Sequence, residues 1–148
     1  MYETDRSIRD AFSKPTLRLV RVLPHAFLVQ DEERTELRGR LHHVHRVRKY
    51  FEARALVCDS QDALVARNGT RCQDCPDRPR CQELLRLYLD LGDGLAIIDL
   101  NRTSAQNLFE VEDIAKQANL DLRQLDLQLE IIDHGQWREV RFTFADPI

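Results

Sequence analysis

Four cysteines within 24 residues constrain this chain more than any other feature. They are Cys58, Cys72, Cys75 and Cys81, spaced C-x13-C-x2-C-x5-C. Almost no apolar residue lies between Arg67 and Gln82, and Asn68, Gly69, Pro76 and Pro79 supply turns there. Such a segment cannot bury a core of its own, so a bound metal would provide the missing folding energy. Cys72 and Cys75 have the two-residue spacing that brings both thiolates onto one ion. Four sulfurs leave no vacant coordination position, which points to structural rather than catalytic zinc. Two alternatives stay open. An iron–sulfur cluster uses similar spacings, as in the RecB type of nuclease. The accompanying nuclease motif needs an acid-x-Lys pair, and none of Lys14, Lys49 and Lys116 follows an acid at that spacing. A disulfide or buried free thiols form the other alternative.

Redox compartment bears on that choice. The first thirty residues carry Glu3, Asp5 and Asp10 with no apolar stretch of the secretory kind. No apolar run approaches the length of a membrane helix. The expectation is a cytoplasmic chain with reduced thiols, in which clustered cysteines read as metal ligands. A length of 148 residues with 43% hydrophobic content favours one domain with a real core. Residues 1–15 read as a polar arm, 16–148 as the domain, and 57–82 as the cysteine insertion.

Charge is unevenly spread. The net charge is -3, yet residues 34–54 hold seven basic side chains against Glu36 and Glu52. Residues 90–133 hold ten acids against Arg102, Lys116 and Arg123. A basic segment on an acidic protein can mark a polyanion-binding face. Nineteen arginines against three lysines allow a plainer reading, a solvated strand surface in an Arg-rich chain.

The pattern elsewhere is mostly that of strands. Residues 16–30 predict a strand, a bend at Pro24 and a second short strand, with 31–34 as a polar turn. Residues 36–51 predict one long bent strand with Gly39 at a bulge. Leu85, Leu87 and Leu89 alternate with polar residues, Gly92-Asp93-Gly94 turns, and residues 95–100 return as a hairpin. A helix is expected from Thr103, capped by its hydroxyl with Gln106 three residues on. Its apolar stripe is Leu108, Val111, Ala115 and Ala118. Leu125 to Ile131 and Trp137 to Phe144 close the chain as a second hairpin. Five or six strands, a metal module and one late helix predict a mainly β domain. The expected architecture is an OB-fold-like barrel, a fold that binds oligonucleotides.

Particular motifs carry a resemblance. Arg48-Lys49-Tyr50-Phe51 ends a strand, Cys58-Asp59-Ser60-Gln61-Asp62 follows, then Gly69 to Pro76 with its two cysteines, a fourth Cys and a Thr103-Ser104 helix start. This order resembles phage and bacterial OB-fold proteins associated with single-stranded DNA. It is more distantly similar to the zinc-bearing OB-fold of replication protein A. The resemblance covers residues 39–129 and implies DNA association and a four-cysteine zinc ribbon.

Single strands are held by cations tracking phosphates and by aromatic faces stacking on bases. Alternation along a strand places Arg46, Arg48 and Tyr50 on one face, with Arg38 and Arg40 in the same parity. These five are the candidate nucleic-acid contacts. Trp137 and Arg138, beside the last turn, join them, although a rim tryptophan covering the core is the plainer reading. Tyr50 is equally readable as a half-buried barrel aromatic. His42, His43 and His45 read as solvated or phosphate-side rather than as metal ligands. No phosphate loop, dinucleotide fingerprint or nucleophile elbow occurs, so no enzyme is expected. The expected function is non-specific single-stranded nucleic-acid binding. The alternative is a protein–protein adaptor in a replication, recombination or defence complex.

Overall fold

The computed structural model describes residues 17–52, 55–60, 64–65, 69–75 and 81–146. The predicted N-terminal arm therefore lies outside the described residues, as does part of the predicted insertion. Nine strands form one strongly curled half-barrel sheet, with a single α-helix among the described residues. The strands are β1 (Leu17–Val22), β2 (Phe27–Val29), β3 (Glu32–Arg34), β4 (Leu37–Glu52) and β5 (Ala55–Ser60). They continue with β6 (Gln82–Asp90), β7 (Leu95–Leu100), β8 (Asp126–Asp133) and β9 (Arg138–Phe144). The helix, α1, runs Arg102–Gln117 between β7 and β8. The mainly β expectation with one late helix holds.

The sheet order is β3-β2-β1-β7-β6-β4-β8-β9, and β5 also pairs with β4. Among the described strands only β1 and β7 pair in parallel. The 16-residue β4 organises the rest. One edge pairs with β6 over Arg40–Lys49, while the other pairs with β8 at its start and β5 at its end. The concave face carries the core. Phe27, Leu87, Leu89, Ala96, Ile98, Leu127 and Leu129 show no exposure at all. Leu108, Val111 and Ala115 of α1 pack onto them.

Three local expectations change. The polar segment 31–34 holds a third short strand, Glu32–Arg34, because Gln30 takes a positive φ of 53° and turns the chain into a hairpin. The helix cap is Asn101 rather than Thr103: its Oδ1 accepts from the Ser104 amide at 3.0 Å. The bulge lies at His42, where the β4–β6 register jumps between Leu41 and His43. Gly39 is needed for another reason. A Cβ there would stand 2.6 Å from the Asp90 carbonyl oxygen.

The helix also seals an edge. β9 is the last strand in the order, so its outer backbone groups need partners. Asn101 donates from Nδ2 to the Arg138 carbonyl at 2.7 Å. Ser104 Oγ accepts from the Val140 amide at 2.7 Å, and Asn107 donates to the Val140 carbonyl at 3.0 Å. Residues three apart lie on one helix face, so these polar side chains run along β9 as a substitute strand.

Candidate nucleic-acid interface

The bulge at His42 decides which side chains share a face. Before it, Leu37, Gly39 and Leu41 point into the core, and Arg38 and Arg40 point out. After it, Val44 faces the core, opposite Leu87, and Arg46 and Arg48 follow Val44 in parity. His43, His45, Val47 and Lys49 take the outer face. The single parity assumed for Arg38, Arg40, Arg46 and Arg48 therefore does not hold. An extra residue switches the alternation partway along the strand.

The described basic candidates all carry carboxylate partners. Arg40 Nε lies 2.8 Å from Asp126, and Arg38 lies 3.3 Å from Asp146. Arg46 and Arg48 take the two oxygens of Glu83, each at 3.2 Å. The Arg138 guanidinium is 3.6 Å from Asp133. Trp137 is 41% exposed and stacks on His134, with centroids 4.1 Å apart and planes 13° from parallel. His134 in turn meets Glu139, whose carboxyl is held down at about 2 by hydrogen bonds from Asn107 and His134. The Tyr50 side chain lies outside the described residues.

The outer face assembles a site that sequence reasoning passed over. Register aligns Leu19 of β1, Ile97 of β7, Tyr88 of β6 and His43 of β4 in one row across four strands. Three inter-strand spacings make that row roughly 14 Å wide. His43, His45 and Tyr88 form a mutual ring cluster, every pair of centroids 5.4 Å apart. Beside it, Asp99 holds Arg86 at 2.9 Å and also binds Lys49. Burial works against ionising Asp99, but hydrogen bonds from Arg86 and Lys49 outweigh it and lower its pKa. Two cations share one carboxylate, so this group carries net positive charge. Burial, with His43 and Arg86 after it, lowers the His45 pKa against the opposing pull of Asp99. The open platform ends at Val47, which is 1% exposed.

The cysteine segment is partly described. Cys72, Cys75 and Cys81 are free thiols, and Cys72 is buried. A short 3-10 turn brings the Cys75 amide to the Cys72 carbonyl at 3.3 Å, as the two-residue spacing predicts. Burial pushes the Cys81 thiol up, the Arg48 guanidinium pulls it down, and the nearby Cys75 and Cys72 thiols add to the rise. Those three thiols thus share one electrostatic neighbourhood. Cys58 sits in β5 opposite Tyr50, and Cys81 directly precedes Gln82, the partner of Lys49 on the other edge of β4. The backbone register therefore places both cysteines beside the same end of β4. The Cys58 side chain lies outside the described residues, and among those described no three His, Cys, Asp or Glu groups stand together as a ready metal site.

In comparison with known proteins, no family model, no curated protein and no solved structure matches this chain.

Proposed function

We propose that this protein binds single-stranded nucleic acid on the outer face of its curled sheet. One observation carries the reading: the half-exposed ring cluster of His43, His45 and Tyr88 beside the Lys49–Asp99–Arg86 group. Rings offered on an open sheet face can stack bases, at about 1–3 kcal/mol per base, and the adjoining cations attract phosphates. The curled sheet is read as an open OB-like barrel. Arg38 and Arg40 lie on the same outer face as the rings, whereas Arg46 and Arg48 do not.

The cysteines complete the reading as a structural zinc centre of Cys58, Cys72, Cys75 and Cys81, with iron–sulfur as the alternative metal. Spacing, the Cys72–Cys75 turn and the shared neighbourhood of Cys72, Cys75 and Cys81 support it. The metal would deprotonate the thiols and fix the segment against the end of β4. Zinc content should fall when Cys72 and Cys75 become Ser, and unchanged stoichiometry would overturn this ligand set.

Carboxylate pairing of Arg38, Arg40, Arg46 and Arg48 favours a second reading, a protein–protein adaptor in a replication or recombination complex. Fluorescence anisotropy with a labelled single strand of roughly 25 nucleotides, longer than one OB-type site, separates the two. The first reading requires binding that resists duplex competitor and weakens with salt. Tyr88→Ala should cost roughly tenfold, the loss of about one stacked base. No binding at low salt by metal-loaded protein would leave the adaptor reading in place.

A further inference from the structure

A second surface lies on the opposite side of the sheet. Between β6 and the first half of α1 runs an open groove of about 520 Å³. Leu85, Leu100 and Ala105 make its apolar floor, and Phe109 forms one wall while remaining 48% exposed. Arg46 and Arg102 stand at its rim. Among the described residues Glu83 is the single carboxylate lining it, and that group already binds both Arg46 and Arg48. The first turn of α1 has no acidic residue, and Arg102 occupies its start. Arg102 has no carboxylate partner among the described residues. An apolar trough thus sits under an excess of positive charge, strengthened by the positive end of the helix dipole.

We propose that this groove docks a short acidic peptide segment of a partner protein, one that carries a large apolar side chain among its carboxylates. The apolar side chain would lie on Leu85 against Phe109, where it removes exposed ring surface from water. The flanking acids would meet Arg102 and Arg46. Charge complementarity selects this occupant. An acyl chain needs enclosure along its length, and this trough is open, with Phe109 half in solvent. A nucleic acid would find cations here but only one exposed ring.

The probe is a fluorescein-labelled Gly-Glu-Asp-Leu-Phe-Asp-Glu amide, titrated into the full chain and followed by anisotropy. Saturable binding is expected, with at least a tenfold loss for Arg102→Glu and for Phe109→Ala. Arg102→Lys should retain binding. Arg123→Glu, in the short turn that follows the helix and beside Asp121, should leave it unchanged. Both key positions are exposed, and unchanged melting temperatures will confirm folded variants. Three results would overturn the proposal: binding insensitive to Arg102→Glu and Phe109→Ala; equal binding of a peptide with Ala for Leu and Phe; or displacement by single-stranded oligonucleotide or by dodecanoate. Peptide binding needs no occupant on the outer face, so it would stand even if the chain bound no oligonucleotide and the ring-cluster reading failed.

Discussion

Replacing Ser104 by Ala tests how the sheet ends. Ser104 is 1% exposed, and its Oγ accepts the Val140 amide at 2.7 Å on the outer edge of β9. Removing one oxygen leaves a buried N–H without its partner, at a cost of about 1–3 kcal/mol. Alanine is the better helix former by up to about 0.5 kcal/mol, which works the other way. The net loss is then roughly 0.5–2.5 kcal/mol, a fall in Tm of roughly 1–10 °C for a chain of this size. Urea and thermal denaturation followed by circular dichroism will measure it, with an unchanged m-value showing that the unfolded state is not the cause. Asn107→Ala should also destabilise, and the two losses should not add, because both side chains hold Val140. A Ser104→Ala protein as stable as the parent would refute the idea that α1 substitutes for a neighbouring strand.

Three further outcomes follow from local geometry. Glu139 titrates near 2 in the folded chain against an ordinary 4.5, so its contribution is present above pH 4.5 and lost as pH falls toward 2. Stability measured across that window should fall more steeply for the parent than for Glu139→Gln. Gly39→Ala should lower Tm through a cost of about 1–3 kcal/mol, because the new methyl meets the Asp90 backbone, which cannot swing aside. Asp99→Asn leaves Arg86 and Lys49 facing each other without their shared carboxylate. A loss on the order of 3 kcal/mol is expected in urea titration, and a neutral result would show that the pair is well solvated.

Much of the frame was legible because strict alternation leaves little choice. Leu85, Leu87 and Leu89, and later Leu127 and Leu129, could be nothing but core-facing strand positions next to glycine turns. Helix α1 was legible from its stripe, but not its cap, since Asn101, Thr103 and Ser104 are all competent and only the path out of β7 chooses among them. The bulge was misplaced because glycine is a weak marker of one, and the residue at this bulge is an ordinary histidine. The ring cluster stayed hidden for a different reason. His43 and Tyr88 meet only through the register of two strands separated by the whole cysteine segment. A pattern within one strand shows which way a side chain points, not which residue of another strand it faces. His43 and Tyr88 each looked like an isolated polar position.

The bulge at His42 also acts as a frame marker for the long strand. Upstream, odd positions such as Leu37 and Leu41 are inward; downstream, the even position Val44 is inward and odd positions 43–49 point out. Deleting His42 alone would join the two runs without moving either, because His43 would then follow Leu41 in ordinary alternation and still face Tyr88. The ring cluster and the Val44–Leu87 contact would keep their seats. Deleting His42 and His43 together would instead turn Val44 outward and bring His45 into the layer that packs on Leu87. The tolerated change of length at this point is therefore one residue and not two, and the extra residue is what lets Arg38 and Arg40 share an outer face with His43 and His45.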